Sequence, residues 1–247
     1  MLKALPVLLA LAATPVAAFE IDAMTDAERE AFNGAVRDFL VENPEVLMEA
    51  MAVLEQRQAE AQSAGDAELV AANRDALVDD GYSWIGGNPD GDVTMVEFLD
   101  YRCGYCRRAH PEVTELVESD GNIRLIVKEF PILGEQSLLA AQFAMSVQRV
   151  AGEDAYESVH DALMTMRADV TEASLRALAE DEGLDAEAVM AGMDAPEIEA
   201  SIAANHALGQ SLGVNGTPSF VVGDRMLRGY VPLEGMREIV EDAREAG

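Results

Sequence analysis

The two cysteines of the chain are separated by two residues, in the segment Cys103-Gly104-Tyr105-Cys106. An apolar segment typical of a buried strand precedes them and a helical pattern follows, so we expect Cys103 at the N-terminus of a helix. The free N–H groups and partial positive charge there stabilise a thiolate and lower a cysteine pKa from about 8.5 to between about 3.5 and 7.5. Cys106, nearly one turn further, is expected behind Cys103 and within disulfide distance. The spacing predicts thiol–disulfide exchange in which Cys103 attacks and Cys106 resolves the mixed disulfide.

Other roles for this cysteine pair remain open. A disulfide that closes so short a loop removes little chain entropy, which disfavours a purely structural bridge. His110 lies four residues after Cys106 on the same helix face, so the three side chains could bind a metal, for which copper is the realistic candidate. Two inert buried thiols are not expected in an oxidising compartment.

The first 18 residues have the pattern of a secretion signal. Lys3 is their only charge, an almost wholly apolar run extends from Leu5 to Ala13, and small residues end the segment at Ala18. The apolar run is shorter than the roughly 20 residues that a membrane-spanning helix needs. We therefore expect cleavage after Ala18 and export into a compartment where disulfides persist.

Composition excludes several classes of protein. The 46 acidic residues against 17 basic ones give a net charge of -29, which opposes nucleic-acid binding because phosphate contacts need clustered Lys and Arg. Two cysteines cannot form a four-cysteine zinc site. A hydrophobic content of 49% is sufficient for a folded core.

Residues 19–80 are predicted to form a helical arm. Thr25 and Glu28 have the spacing of a capping box, and Asn43-Pro44 is typical of a boundary between two helices. Both helical segments carry an apolar stripe. The arm is therefore predicted to be an oligomerisation stalk, with an amphipathic hairpin folded against the globular domain as the alternative.

Residues 81–247 are predicted to form an α/β domain. A strand, a helix and a second strand form a βαβ unit with parallel strands, a purely helical block follows at 137–213, and a β-hairpin and a last helix end the chain. The predicted elements are a strand Val93–Leu99, a helix Cys103–Ser119, a strand Ile123–Phe130, a hairpin of Ser219–Val222 with Arg225–Leu227, and a helix from about Pro232 to Glu245.

Two motifs in this domain resemble those of the DsbA-like thiol–disulfide oxidoreductases. The segment FLDYRCGYC is followed about 110 residues later by GVNGTPSFVVG. The resemblance implies a thioredoxin fold with an inserted all-helical subdomain, preceded by an N-terminal arm like that of the ScsC-type subgroup. It also implies that Pro218 is a cis-proline facing the cysteines. Gly104, Tyr105 and Thr217 would then contact an extended substrate.

The resemblance further identifies Glu97, six residues before Cys103, as the buried acid beneath the cysteine pair. Lys128 lies in an otherwise apolar strand and is the only lysine after residue 18. We expect Glu97 and Lys128 to form a pair near Cys106 that moves its proton and tunes the redox potential.

These patterns predict a periplasmic thiol–disulfide oxidoreductase acting on cysteine-containing exported proteins. Gly104, Tyr105 and Thr217 are more like the disulfide isomerases than the strong oxidases, which carry Pro-His and Val, so isomerase or reductase activity is favoured over dithiol oxidation. A membrane redox partner, a homo-oligomer formed through the arm, and no cofactor beyond a Cys103–Cys106 disulfide are expected. The alternatives are an envelope copper-binding or copper-tolerance protein and a non-catalytic, chaperone-like oligomer.

Overall fold

The computed structural model describes residues 24–246, so the predicted secretion signal lies outside the described residues. None of the described helices is long and apolar enough to cross a membrane. In chain order the elements are α1 (Asp26–Glu42), α2 (Glu45–Ala72), α3 (Arg74–Val78), β1 (Trp84–Gly87), β2 (Val93–Leu99), α4 (Gly104–Asp120), β3 (Ile123–Glu129), α5 (Glu135–Ala151), α6 (Glu153–Thr165), α7 (Glu172–Asp181), α8 (Ala186–Gly192), α9 (Pro196–Ser211), β4 (Ser219–Val222), β5 (Arg225–Arg228) and α10 (Leu233–Ala246).

The chain divides into two compact units, one up to Gln58 and one from Ala59 onward. In the first unit, the hydroxyl of Thr25 accepts a hydrogen bond from the backbone of Glu28, and the Glu28 carboxylate accepts one in return. The predicted capping box of α1 is therefore confirmed. None of the described residues of this unit is buried. Its exposed large apolar side chains are Phe32, Val36, Phe39, Val41, Leu47, Met48, Met51, Val53 and Leu54.

The second unit contains a five-stranded mixed sheet in the order β1-β3-β2-β4-β5. Strands β2 and β3 are parallel and α4 connects them, as the sequence predicts, while β1, β4 and β5 pair antiparallel with their neighbours. Along the chain, helices α5 to α9 are inserted between β3 and β4. Strand β1 was not predicted, because its sequence Trp-Ile-Gly-Gly resembles a turn more than a strand.

Alternation along the central strands divides the apolar core between the two faces of the sheet. Met95 and Val127 belong to the face covered by α4, α5 to α8 and α10. Val96 and Ile126 belong to the opposite face, which packs against side chains of α2, α3 and α9. The residues of β2 and β3 therefore alternate between the two faces, and only those on the first face lie on the same side of the sheet as the cysteines.

The second unit begins at Ala59, well before the domain boundary predicted at residue 81. The physical reason is that Val70 of α2 and Leu77 of α3 are 7% and 1% exposed, and both belong to the core on the second face of the sheet. This part of the predicted arm supplies core residues to the domain that follows it.

Candidate active site

Cys103 caps the N-terminus of α4, directly after the loop that follows β2. The helix begins at Gly104, so Cys103 faces the unpaired N–H groups of the first turn. The side chain is 8% exposed, whereas the neighbouring Tyr105 is 62% exposed. The cysteine thiols are both free in this structure. Cys103 is thus the sulfur of the pair that reaches the surface, as the sequence predicts.

The surroundings of Cys103 stabilise its thiolate. Its pKa is lowered to about 5, first because the Cys106 thiol donates a hydrogen bond to its sulfur. A hydrogen bond from the Thr217 side chain and the backbone N–H groups of Cys106 and Tyr105 lower it further. At neutral pH Cys103 is therefore a thiolate, which is the nucleophilic form.

Cys106 is fully buried, and its pKa is shifted in the opposite direction to that of Cys103. Its pKa is raised because it donates to Cys103, because it is desolvated, and because the charge of Glu97 lies nearby. Glu97 is 4% exposed. Burial raises the pKa of Glu97 to about 8, with added contributions from the charges of Cys103 and Glu129. The predicted acid thus lies near the resolving cysteine.

The loop before β4 contacts Cys103 through Thr217. The Sγ atom of Cys103 lies 3.1 Å from the main-chain oxygen of Thr217, and the Thr217-Pro218 peptide bond is cis. The structure therefore brings Cys103, Cys106, Thr217 and Pro218 together, with Gly104 and Tyr105 exposed beside them.

The predicted pair of Glu97 and Lys128 is not formed. In the parallel register Glu97 lies opposite Val127 and Lys128 opposite Phe98, so the two side chains point to opposite faces of the sheet. The Lys128 ammonium instead donates to the Asp80 carboxylate and to the main-chain oxygen of Ala76. Lys128 is on the face away from Cys106 and anchors the segment that follows α3.

Glu129 is a buried acid that no sequence pattern indicated. It lies on the same face of the sheet as Glu97, and its Oε1 atom accepts hydrogen bonds from Tyr101 at 2.7 Å and Tyr156 at 2.6 Å. Its Oε2 atom is buried and has no hydrogen-bond partner. Burial raises the pKa of Glu129 to about 8, although the two tyrosine hydroxyls oppose this shift. Glu129 and Lys128 are adjacent charged residues of β3, and only the strand register shows that Glu129 lies on the same face as Glu97.

Asp100 was also missed, and it joins the loops that follow β2 and β3. Its carboxylate accepts a hydrogen bond from the backbone of Arg102 at 2.8 Å, and others from Ile132 at 2.8 Å and Leu133 at 3.0 Å. Because Arg102 directly precedes Cys103, Asp100 fixes the backbone that leads into the cysteine pair. An aspartate that directly ends a buried strand is the signal for this role.

His110 does not complete a metal site with the cysteines. Its Nε2 atom lies 3.0 Å from Oδ1 of Asp161, and its ring packs edge-on against His160. His160, which has no partner predicted from sequence, is buried with its Nδ1 atom 3.0 Å from the Tyr101 hydroxyl. Across residues 24–246 no group of three or more His, Cys, Asp or Glu side chains could hold a metal ion. Copper binding stays a prediction.

The mixed sheet, its helical insertion and the paired cysteines at the N-terminus of α4 define a thioredoxin fold. The family model of the DSBA-like thioredoxin domain matches residues 94–241, and that of the copper resistance protein ScsC N-terminal domain matches residues 28–61. The chain belongs to the DSBA-like thioredoxin domain family. The predicted fold, with its helical insertion and N-terminal helices, is confirmed.

Solved structures of similar proteins agree with this assignment. A thioredoxin-like oxidoreductase from Silicibacter pomeroyi DSS-3 is 46% identical, with a TM-score of 0.67 over 71% of this chain and 99% of that one. A linker-deletion mutant of Proteus mirabilis ScsC is 28% identical, with a TM-score of 0.69 over 92% of this chain and 100% of that one. The Na(+)/H(+) antiporter NhaA 1 of Salinispora arenicola is 29% identical over 67% of this chain. The chain spans only 25% of that antiporter's length.

Proposed function

We propose that this member of the family is a periplasmic protein-disulfide isomerase or reductase. The observation that carries the thiol–disulfide exchange in this proposal is the opposite electrostatics of the two sulfurs. Cys103, the more exposed of the two, has a pKa of about 5, while the hydrogen bond to Cys103 and burial raise the pKa of Cys106. One sulfur is ready to attack at neutral pH, and the other is protonated and shielded.

In the proposed reaction the Cys103 thiolate attacks one sulfur of a substrate disulfide. A Cys103–substrate disulfide forms, the substrate disulfide breaks, and the second substrate sulfur leaves as a thiolate. In isomerisation another substrate thiolate attacks the mixed disulfide and regenerates the Cys103 thiolate. In reduction Cys106 loses its proton to Glu97 and attacks Cys103, so that the Cys103–Cys106 disulfide forms and the substrate thiolate leaves.

Substrate is proposed to bind beside Thr217. An extended chain next to this residue would use the main-chain groups before cis-Pro218, in the manner of an added β-strand. Tyr105, at 62% exposed, offers an apolar contact beside the attacking sulfur. Backbone recognition of this kind is tolerant of sequence, which suits an enzyme that acts on many exported proteins.

The preference for isomerisation over net oxidation rests partly on the first unit. Its residues 24–58 expose nine large apolar side chains, and none of these residues is buried. Groups of exposed apolar side chains are typical of association surfaces. We propose that they form a homo-oligomer, which would hold a misfolded substrate between several active sites while its disulfides rearrange.

The remaining parts of the proposal concern location and partners. The expected secretion signal and the similarity to a periplasmic thioredoxin-like protein from Salmonella enterica serovar Typhimurium support export to the periplasm. An isomerase acts only while Cys103 is reduced, so a membrane redox partner would supply the reducing equivalents.

Two ribonuclease assays run in parallel test this proposal. Scrambled ribonuclease measures isomerisation, and reduced ribonuclease with an oxidant measures net oxidation. We expect the protein to restore activity to scrambled ribonuclease at a higher rate than it oxidises the reduced enzyme. A higher oxidation rate would contradict the isomerase assignment while leaving the thiol–disulfide chemistry intact.

A further inference from the structure

A cleft of about 330 Å³ opens between α4 and α6 on the same side of the sheet as the cysteines. Glu97 lies in its wall, together with Trp84 of β1 and apolar residues of α4. The titratable side chains that line it are Glu97, His110, Glu118, Glu157, His160 and Asp161.

The carboxyl group of Glu97 is buried beside the resolving cysteine, so a proton that it takes from Cys106 needs a path to solvent. Strands β3 and β4, which flank Glu97, offer no such path. Their side chains on this face are apolar, except for Glu129, which is hydrogen-bonded to two tyrosines. The cleft connects the Glu97 wall to the outer surface of α4 and α6.

A histidine and an aspartate stand at the outer end of this cleft. The side chain of His110 is 16% exposed and that of Asp161 is 58% exposed, and their facing atoms lie 3.0 Å apart. Burial lowers the pKa of His110, while the Asp161 charge opposes that shift. His110 is therefore neutral at pH 7 and can take up a proton that the adjacent carboxylate stabilises. His160 is fully buried and stays neutral, since burial and the neighbouring His110 lower its pKa to about 3.

We propose that this cleft is the route by which the Cys106 proton leaves the active site, with Glu97 at the inner end and the His110–Asp161 pair at the outer end. The inference rests on the proposed function, because it concerns the step in which Cys106 resolves a mixed disulfide. In that step the Cys106 S–H proton passes to the Glu97 carboxylate, and the Cys106 thiolate attacks Cys103. The substrate thiolate leaves and takes a proton from solvent. Water in the cleft then carries the Glu97 proton to His110 and on to solvent.

The test follows one turnover of the reduced protein with oxidised glutathione, quenched with acid and analysed by mass spectrometry. The glutathione–Cys103 mixed disulfide appears in the first step and disappears when Cys106 attacks. We expect Asp161→Asn and His110→Gln to leave the appearance rate unchanged and to lower the disappearance rate about tenfold or more. Imidazole buffer should restore the rate, because a small diffusible base replaces the lost proton carrier.

His206→Gln is the matched control, because His206 lies on α9 against Phe130 and does not line the cleft. It should resolve the mixed disulfide at the wild-type rate. The proposal would be overturned if the mixed disulfide disappeared at the wild-type rate in the Asp161→Asn and His110→Gln variants. It would also be overturned if the rate in these variants were slow and imidazole did not restore it. Absence of any mixed disulfide in the wild-type protein would instead contradict the proposed function itself.

Discussion

The sulfur of Cys103 lies 3.1 Å from the main-chain oxygen of Thr217, the residue before cis-Pro218. These two residues are more than 110 positions apart, and the contact places the attacking sulfur beside backbone groups that an extended substrate would use. Nucleophile and proposed binding site therefore form one surface. Cys106 and Glu97 lie beneath that surface, where the proposed resolving step transfers the Cys106 proton to Glu97.

The first prediction concerns the acidity of Cys103. Titration of thiolate absorbance in the reduced protein should give a midpoint near pH 5, because the Cys106 thiol donates to the Cys103 sulfur. Cys106→Ala removes this donor and should raise the midpoint. Since the folded pKa lies below the unfolded one, Cys103 stabilises the reduced protein above about pH 8.5, and this contribution is lost as pH falls toward 5. A midpoint near 8.5, the ordinary thiol value, would contradict the account.

The second prediction concerns Glu97 and the resolving step. Glu97→Gln should slow the disappearance of a Cys103 mixed disulfide, because the amide cannot accept the Cys106 proton. The wild-type rate should rise as pH increases toward about 8, where Glu97 becomes a carboxylate, and the variant should lack this rise. Single-turnover rates between pH 6 and 9 measure the difference. Equal rates throughout this range would remove Glu97 from the mechanism.

The third prediction separates Lys128 from the active site. Lys128→Met should destabilise the protein by about 3–5 kcal/mol, because it leaves the largely buried Asp80 carboxylate without its cationic partner. Urea unfolding measures this loss, and the double variant Lys128→Met, Asp80→Asn should recover part of it. The exchange rate per folded molecule should not change, since Lys128 lies on the face away from Cys106. A slower resolving step in folded Lys128→Met would contradict the assignment.

The fourth prediction concerns the dependence of stability on pH. Glu129 has a folded pKa of about 8, raised by burial from the ordinary 4.5, so the folded state keeps a proton that the unfolded state loses. Stability should therefore fall as pH rises from about 4.5 to 8. Glu129→Gln should reduce that fall in urea unfolding, while the exposed Glu238→Gln should follow the wild type. Identical pH dependence in all three proteins would exclude a protonated Glu129.

The cysteine pair at a helix N-terminus, the βαβ unit and the hairpin were predictable because each depends on neighbours in sequence. Lys128 and Glu129 were not, because a shift of one residue in strand register exchanges the faces on which they lie. The partner of Lys128, Asp80, comes from a segment without periodicity. The tyrosines that hold Glu129 lie 27 and 28 residues away and are brought to it by tertiary packing.

The fifth prediction concerns the exposed apolar face of the first unit. Phe39→Ser combined with Leu54→Ser should lower the mass of the assembly in sedimentation, because both side chains are more than half exposed and apolar. Gln58→Ser, an exposed polar change in the same unit, should leave the mass unchanged. A monomeric mass for the wild-type protein would contradict the proposed oligomer and weaken the case for isomerisation.

The most direct test of the central claim is capture of the mixed disulfide. Cys106→Ala is incubated with scrambled ribonuclease, alkylated and analysed by mass spectrometry after proteolysis. The account predicts a covalent complex joined through Cys103, absent from the double variant Cys103→Ala, Cys106→Ala. A Cys106→Ala protein that forms no complex with the ribonuclease would contradict the assignment of Cys103 as the attacking thiolate.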